Sequence, residues 1–135
     1  MAENVIYKLS KRFALRIIKL YSFLNDEKRE YVISKQLYRS GTSIGANIAE
    51  SIYAQSDADY VHKLKISLKE ASESKYWLEL LFDSGILSEE QYQSLINDLN
   101  TIIGTIINII NKIETKWRIW SICLFYFFTF LPFYL

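Results

Sequence analysis

The strongest constraint on this chain is a run of apolar residues near its C-terminal third. Tyr92, Leu95, Leu99, Ile102, Ile106, Ile109 and Ile113 recur at alternating steps of three and four through three heptads. Only a long α-helix gathers such a set onto one stripe, and that stripe must be covered by other helices. Ile96, Ile103, Ile107 and Ile110 widen the seam beyond what a helix normally buries in its own bundle. We assign this surplus to an interface between subunits. Ser88-Glu-Glu-Gln91 supplies a capping box at the start of the helix.

Three further helices precede it. The first spans about Val5 to Leu24, with Ile6, Leu9, Phe13, Ile17, Leu20 and Leu24 on one face. The second is expected from about Glu27 to Tyr53, with Asp26 as its N-cap and Leu37, Ile44, Ile48 and Ile52 on one side. Its centre, SGTSIGAN, has low helix propensity. Gly41 and Gly45, four apart, make a bare patch that another helix can approach closely. The third follows Ser56 and runs to about Phe82, with Asp57 and Asp59 in its first turn and Gly85 beyond its end. Ser67, Ala71 and Ser74 form a stripe of small residues on it. Four Gly and one Pro leave little room for a turn-rich β fold. Short connections between long helices predict an all-α fold, an antiparallel up-down-up-down four-helix bundle over residues 1–116.

Charge is unevenly spread. Residues 1–40 carry nine basic and four acidic side chains; residues 41–116 carry six basic and eleven acidic ones. Lys8, Lys11, Arg12, Arg16 and Lys19 form a basic strip on the first helix, a candidate nucleic-acid-binding surface. The competing reading is a solvated face, or one matched to the acidic half of a neighbouring copy, because the net charge of the whole chain is only +1.

Catalytic constellations are not visible. One His and one Cys exclude a disulfide within the chain and the usual zinc sites. Asp59 and His62 share a helical face but lack further ligands. No phosphate-binding glycine loop or nucleophile arrangement occurs. The expectation is a protein that is not an enzyme and needs neither metal nor cofactor.

Arg39, Ser43, Asn47 and Glu50 fall on one face of the second helix, beside the glycine patch. They are expected to be at least partly buried, as a polar network that fixes register rather than a catalytic set. Arg39 and Glu50 are too far apart to pair with each other, so their partners should be other helices, such as Glu70 and Glu73 for Arg39, or a neighbouring subunit.

At these residues the chain resembles a known family. RSGTSIGANIAE at 39–50, followed by DYVHKLKISLKEASESKYWLELL at 59–81, is similar to the 23S rRNA intervening-sequence proteins, also called the S23 family. The resemblance covers roughly residues 8–116, with signature positions at Arg39, Ser43, Ile44, Asn47, Ile48, Glu50, Glu70, Trp77 and Leu80. It implies a four-helix bundle, ring-like homopentamers and no catalytic role. Some members are encoded within bacterial 23S rRNA genes, and related accessory proteins of retroelements bind a reverse transcriptase and nucleic acid. The resemblance thus implies a binding module for RNA or an RNA-handling partner. The alternative is an accessory scaffold without nucleic acid.

Residues 117–135 depart from that pattern. From Ile119 to Leu135 no residue is charged, and the segment from Trp117 is rich in Phe and Tyr. Three readings compete: a membrane anchor flanked by Lys116 and Arg118, a segment packed on the bundle, and an accidental extension. The last is favoured, because the bundle is complete without the segment. No secretory signal is seen at the N-terminus, and the expected compartment is the cytoplasm.

Overall fold

The computed structural model describes residues 2–130, with side chains from Val5 onward. It contains α1 (Ala2–Asp26), α2 (Ile33–Ser51), α3 (Asp57–Asp83) and α4 (Glu89–Phe130). Each helix packs on its sequence neighbours and α1 closes on α4, while among the described residues the diagonal pairs make no close backbone approach. Contacts run in opposite directions at every seam. Ser40 meets Ser74 and Glu50 meets Lys63 across α2 and α3. Arg16 meets Ser94 across α1 and α4, Tyr21 packs at a tilt against Tyr38 across α1 and α2, and Phe82 stacks on Tyr92 across α3 and α4. The expected antiparallel four-helix bundle is therefore what the chain forms.

The core is aliphatic, with Phe13, Ile17, Leu24, Leu37, Ile44, Leu64, Leu78, Leu99 and Ile102 almost wholly buried. Serines fill the places where helices come closest. The Ser74 hydroxyl lies 2.9 Å from that of Ser40, and Ser67 donates to the Ile44 carbonyl at 2.9 Å. Among the described residues every buried side-chain polar atom has a partner, so these seams leave no buried polar group uncompensated.

The glycine patch of α2 faces α1. A Cβ added at Gly41 would lie 2.9 Å from Ile17 Cγ1, whereas one at Gly45 would sit 3.5 Å or more from Ser10. Ile17 is fully buried and β-branched, so it cannot swing away. Gly41→Ala should therefore lose about 1 kcal/mol, because an overpacking cost of about 1–3 kcal/mol exceeds the propensity gain. Gly45→Ala should gain up to about 1 kcal/mol. Urea denaturation of the two variants checks the opposite signs.

The first connection differs from expectation. α1 continues through Asp26, and α2 begins only at Ile33. Asp26 is thus the last residue of α1 rather than the cap of α2. The chain reverses with Arg29 in the left-handed region at φ 55°. The Glu30 carboxylate then accepts from the backbone N–H groups of Val32, Ile33 and Ser34 at 2.7–3.0 Å. A carboxylate at that position both caps the helix and complements its dipole. Burial raises the Glu30 pKa, but those backbone donors outweigh it, and the net displacement is downward. A depressed carboxylate pKa contributes stability above its unfolded value, and that stability is lost as pH falls through the folded value. Glu30→Gln should flatten the stability decline between about pH 5 and pH 3 and cost about 1 kcal/mol at pH 7. Thermal melts across that range test it.

The other boundaries follow local chemistry. Ser56 caps α3 through the Asp59 N–H, and Ser88 with Gln91 closes the expected capping box. Gly85, at φ 77°, terminates α3.

α4 is the longest helix, with 42 residues. It passes residue 116 without a break, and residues 115–130 are exposed throughout. Residues 115–130 are therefore not covered by the other three helices of their own chain. Among the described residues no helix is long and apolar enough to cross a membrane. Residues 131–135, included in the anchor reading, lie outside the described residues.

Candidate interaction surfaces

Three surfaces carry the residues singled out from sequence. The first is the groove between α2 and α3. Glu50 pairs with Lys63 at 2.6 Å, and that hydrogen bond raises the Lys63 pKa. Asn47 donates to the Ser43 carbonyl at 2.9 Å, within its own helix. Glu73 accepts from the Trp77 indole at 3.0 Å. Glu70 is half-buried. Burial, then the nearby Glu73 charge, raises its pKa, while Lys69 and Arg39 act in the opposite sense.

Two expectations need correction here. Arg39 and Glu50 are exposed, not partly buried, because they lie on the outer side of α2. Among the described residues Arg39 forms no ion pair within 4 Å, so its attraction to Glu70 acts across a gap. The groove is a polar surface whose members mostly bond locally, and only Glu50 makes an ion pair between helices.

The second surface is the α1 edge. From Val5 through Asn25 the sequence holds five basic residues and no acid. Arg12 and Arg16 lean toward α4, where both pair with Asp98, at 3.2 and 2.7 Å. Arg16 also donates to the carbonyl and hydroxyl of Ser94. Both arginines are therefore paired within the chain, although the Arg12 side chain stays exposed. Lys8, Lys11 and Lys19 remain exposed, with Lys11 lying 5.9 Å over the Tyr7 ring. One carboxylate serving two guanidiniums leaves the edge strongly positive. A groove of about 270 Å³, lined in part by Arg16, Lys19, Phe23 and Gln91, runs alongside.

Asp98 and Ser94 were not anticipated. The signal was available, since Asp98 is the sole charged residue between Glu90 and Lys112. A lone charge on an otherwise neutral stretch of helix calls for a partner.

The third surface is the outer face of α4. Ile96 and Ile110 are 7% and 6% exposed, so they belong to the core and not to a surplus. The α3 and α4 stripes are wide enough to cover them. Ile103 is half-buried and Ile107 is 40% exposed. Around Ile107 the exposed residues are uncharged: Gln93, Asn97, Asn100, Thr101, Gly104, Asn108 and Asn111. A Cβ at Gly104 would meet nothing within 4 Å.

His62 is exposed and the Asp59 carboxylate is engaged by the Gln55 N–H. Among the described residues no three metal-donor side chains come together.

Comparison with known proteins gives a consistent picture. Residues 2–108 match the family described as 23S rRNA-intervening sequence protein. A crystal structure of a protein with unknown function from the S23 ribosomal protein family of Bacteroides thetaiotaomicron VPI-5482 superposes with a TM-score of 0.81. It is 52% identical, and the match covers 82% of this chain and 99% of that one. No curated protein matches.

Proposed function

The chain belongs to the 23S rRNA-intervening sequence protein family, and on that footing we propose that it is a non-enzymatic, self-associating module that binds RNA. The observation that carries the reading is the α1 edge: five basic residues against a single neutralising carboxylate, with three lysines turned to solvent. Exposed lysines at helical spacing match a phosphate backbone without reading bases. Self-association through α4 would repeat the edge around a ring, for which the family resemblance supplies the pentamer. Multivalency would then raise the strength of weak phosphate contacts.

The lysines, not the arginines, make the clean test. Reversing Arg12 or Arg16 would also disturb Asp98 and the α1–α4 seam. Lys8→Glu, Lys11→Glu and Lys19→Glu combined touch no described ion pair. Binding of a labelled structured RNA, followed by anisotropy, should weaken roughly 10- to 100-fold between 50 and 200 mM salt for about three phosphate contacts. The triple variant should lose both the binding and the salt dependence. Unchanged binding in that variant would leave the scaffold reading in place, which the in-chain pairing of Arg12 and Arg16 favours.

A further inference from the structure

We propose that the C-terminal extension of α4 is a lipid-inserting element, which enters the hydrocarbon of a zwitterionic bilayer. Three observations point there. The first is the distribution of apolar surface. Ile119, Trp120, Ile122, Leu124 and Phe125 are each more than half exposed, and at about 100° per residue they face every side of the helix. A second helix covers one stripe and leaves the rest wet. Even two flanking tails in a ring of copies would leave its outward side wet, whereas lipid surrounds all of it.

The second observation is length. Ile119 to Phe130 is an uncharged helical stretch that rises about 18 Å. That already exceeds one leaflet of a hydrocarbon core about 30 Å thick.

The third is the polar chemistry of the segment. Inside hydrocarbon the backbone must be hydrogen-bonded internally. The backbone is helical through Phe130, and the Thr129 hydroxyl donates to the Phe125 carbonyl. At the root, Lys116 and Arg118 bracket Trp117, and Trp120 lies one turn further on. That is the order of headgroup contacts followed by interfacial aromatics. The start of α3, with Asp57, lies at the same end of the bundle, since Asp57 and Ile113 line one groove. Acidic and basic groups therefore both face the membrane plane, and a zwitterionic surface suits them better than an anionic one.

The test uses the full chain with phosphatidylcholine vesicles. Flotation should carry the protein up with the lipid. Brominated phosphatidylcholine should quench its tryptophan emission in a Trp77→Phe background, which leaves only Trp117 and Trp120. Leu124→Glu with Phe127→Glu should lower partitioning by about a hundredfold per charge. The melting temperature should hold, since both sites are exposed. Protein left below the vesicles, or floating equally in the double variant, would overturn the proposal. So would unquenched tryptophans in a sample whose native mass rises through the tail, since the tails would then be covering one another.

Discussion

Truncation of Phe13 to alanine is expected to remove about 3–5 kcal/mol of folding stability, the largest loss from any single core substitution in this chain. Phe13 is wholly buried, and no fully buried side chain in the bundle is larger. It lies on α1, whose neighbours α2 and α4 both contribute aliphatic residues to the core. Those elements are held by the Gly41–Ile17 approach on one side and the Asp98 pairs on the other. Neither side can close readily onto the void. The cost is then lost burial plus a cavity that stays open. Domains of this size are stable by roughly 5–15 kcal/mol in total. The variant should therefore melt about 10–20 °C lower. Leu15→Ala is the control. It lies two residues along the same helix, is 53% exposed, and should shift stability by less than about 0.5 kcal/mol in the isolated chain. Circular dichroism melts of both variants give the comparison. A loss below about 1 kcal/mol at Phe13 would mean that the core is plastic around it.

Why the sequence spoke clearly about this core and poorly about α2 has a physical basis. Buried residues of α1, α3 and α4 recur with helical period, and burial is what creates that period. Caps built from Ser with Asp or Gln three residues later were legible for the same reason, since geometry fixes the spacing. The start of α2 has neither signal. Glu27 to Tyr31 has ordinary helix propensity, and no Gly or Pro marks the reversal, which Arg29 makes at a positive φ. Glu30 caps from outside the helix, by a long side chain rather than the usual short one.

The polar sites were harder still. Arg39, Ser43, Asn47 and Glu50 share a face, but one face of a helix grades from core to solvent within about 80°. Ser43 and Asn47 fall on the inner margin, Arg39 and Glu50 on the outer. Sequence spacing places the four together and says nothing of where the neighbouring helix ends. The same limit explains Ile96 and Ile110. Their excess over a strict heptad stripe was real, yet α4 packs into the bundle with a stripe wide enough to absorb them.

What remains of the α4 surplus supports the second large effect: Ile107→Arg should convert an assembled protein to monomers. The outer face from Gln91 to Asn111 carries no charge except Asp98, which is already paired. Solvated helix faces ordinarily carry Lys and Glu, and a long neutral face suits burial against another surface. Gly104 adds weight. It costs about 1 kcal/mol relative to alanine, and nothing in its own chain approaches it. A close-packed partner helix would explain it as the Gly41 patch is explained within the chain. Gly104→Leu and Ile107→Arg should therefore leave the monomer's stability nearly unchanged, or slightly raised at 104, while weakening association by at least about 30-fold. Light scattering after size exclusion is the measurement. It is best made in the Leu124→Glu, Phe127→Glu background, so that association through the tail is not counted. On the proposed pentameric reading, the native mass falls from about five chains to one. An unchanged mass in both variants would place the interface elsewhere, and the exposed Leu15 and Ile18 on α1 would become the next surface to probe.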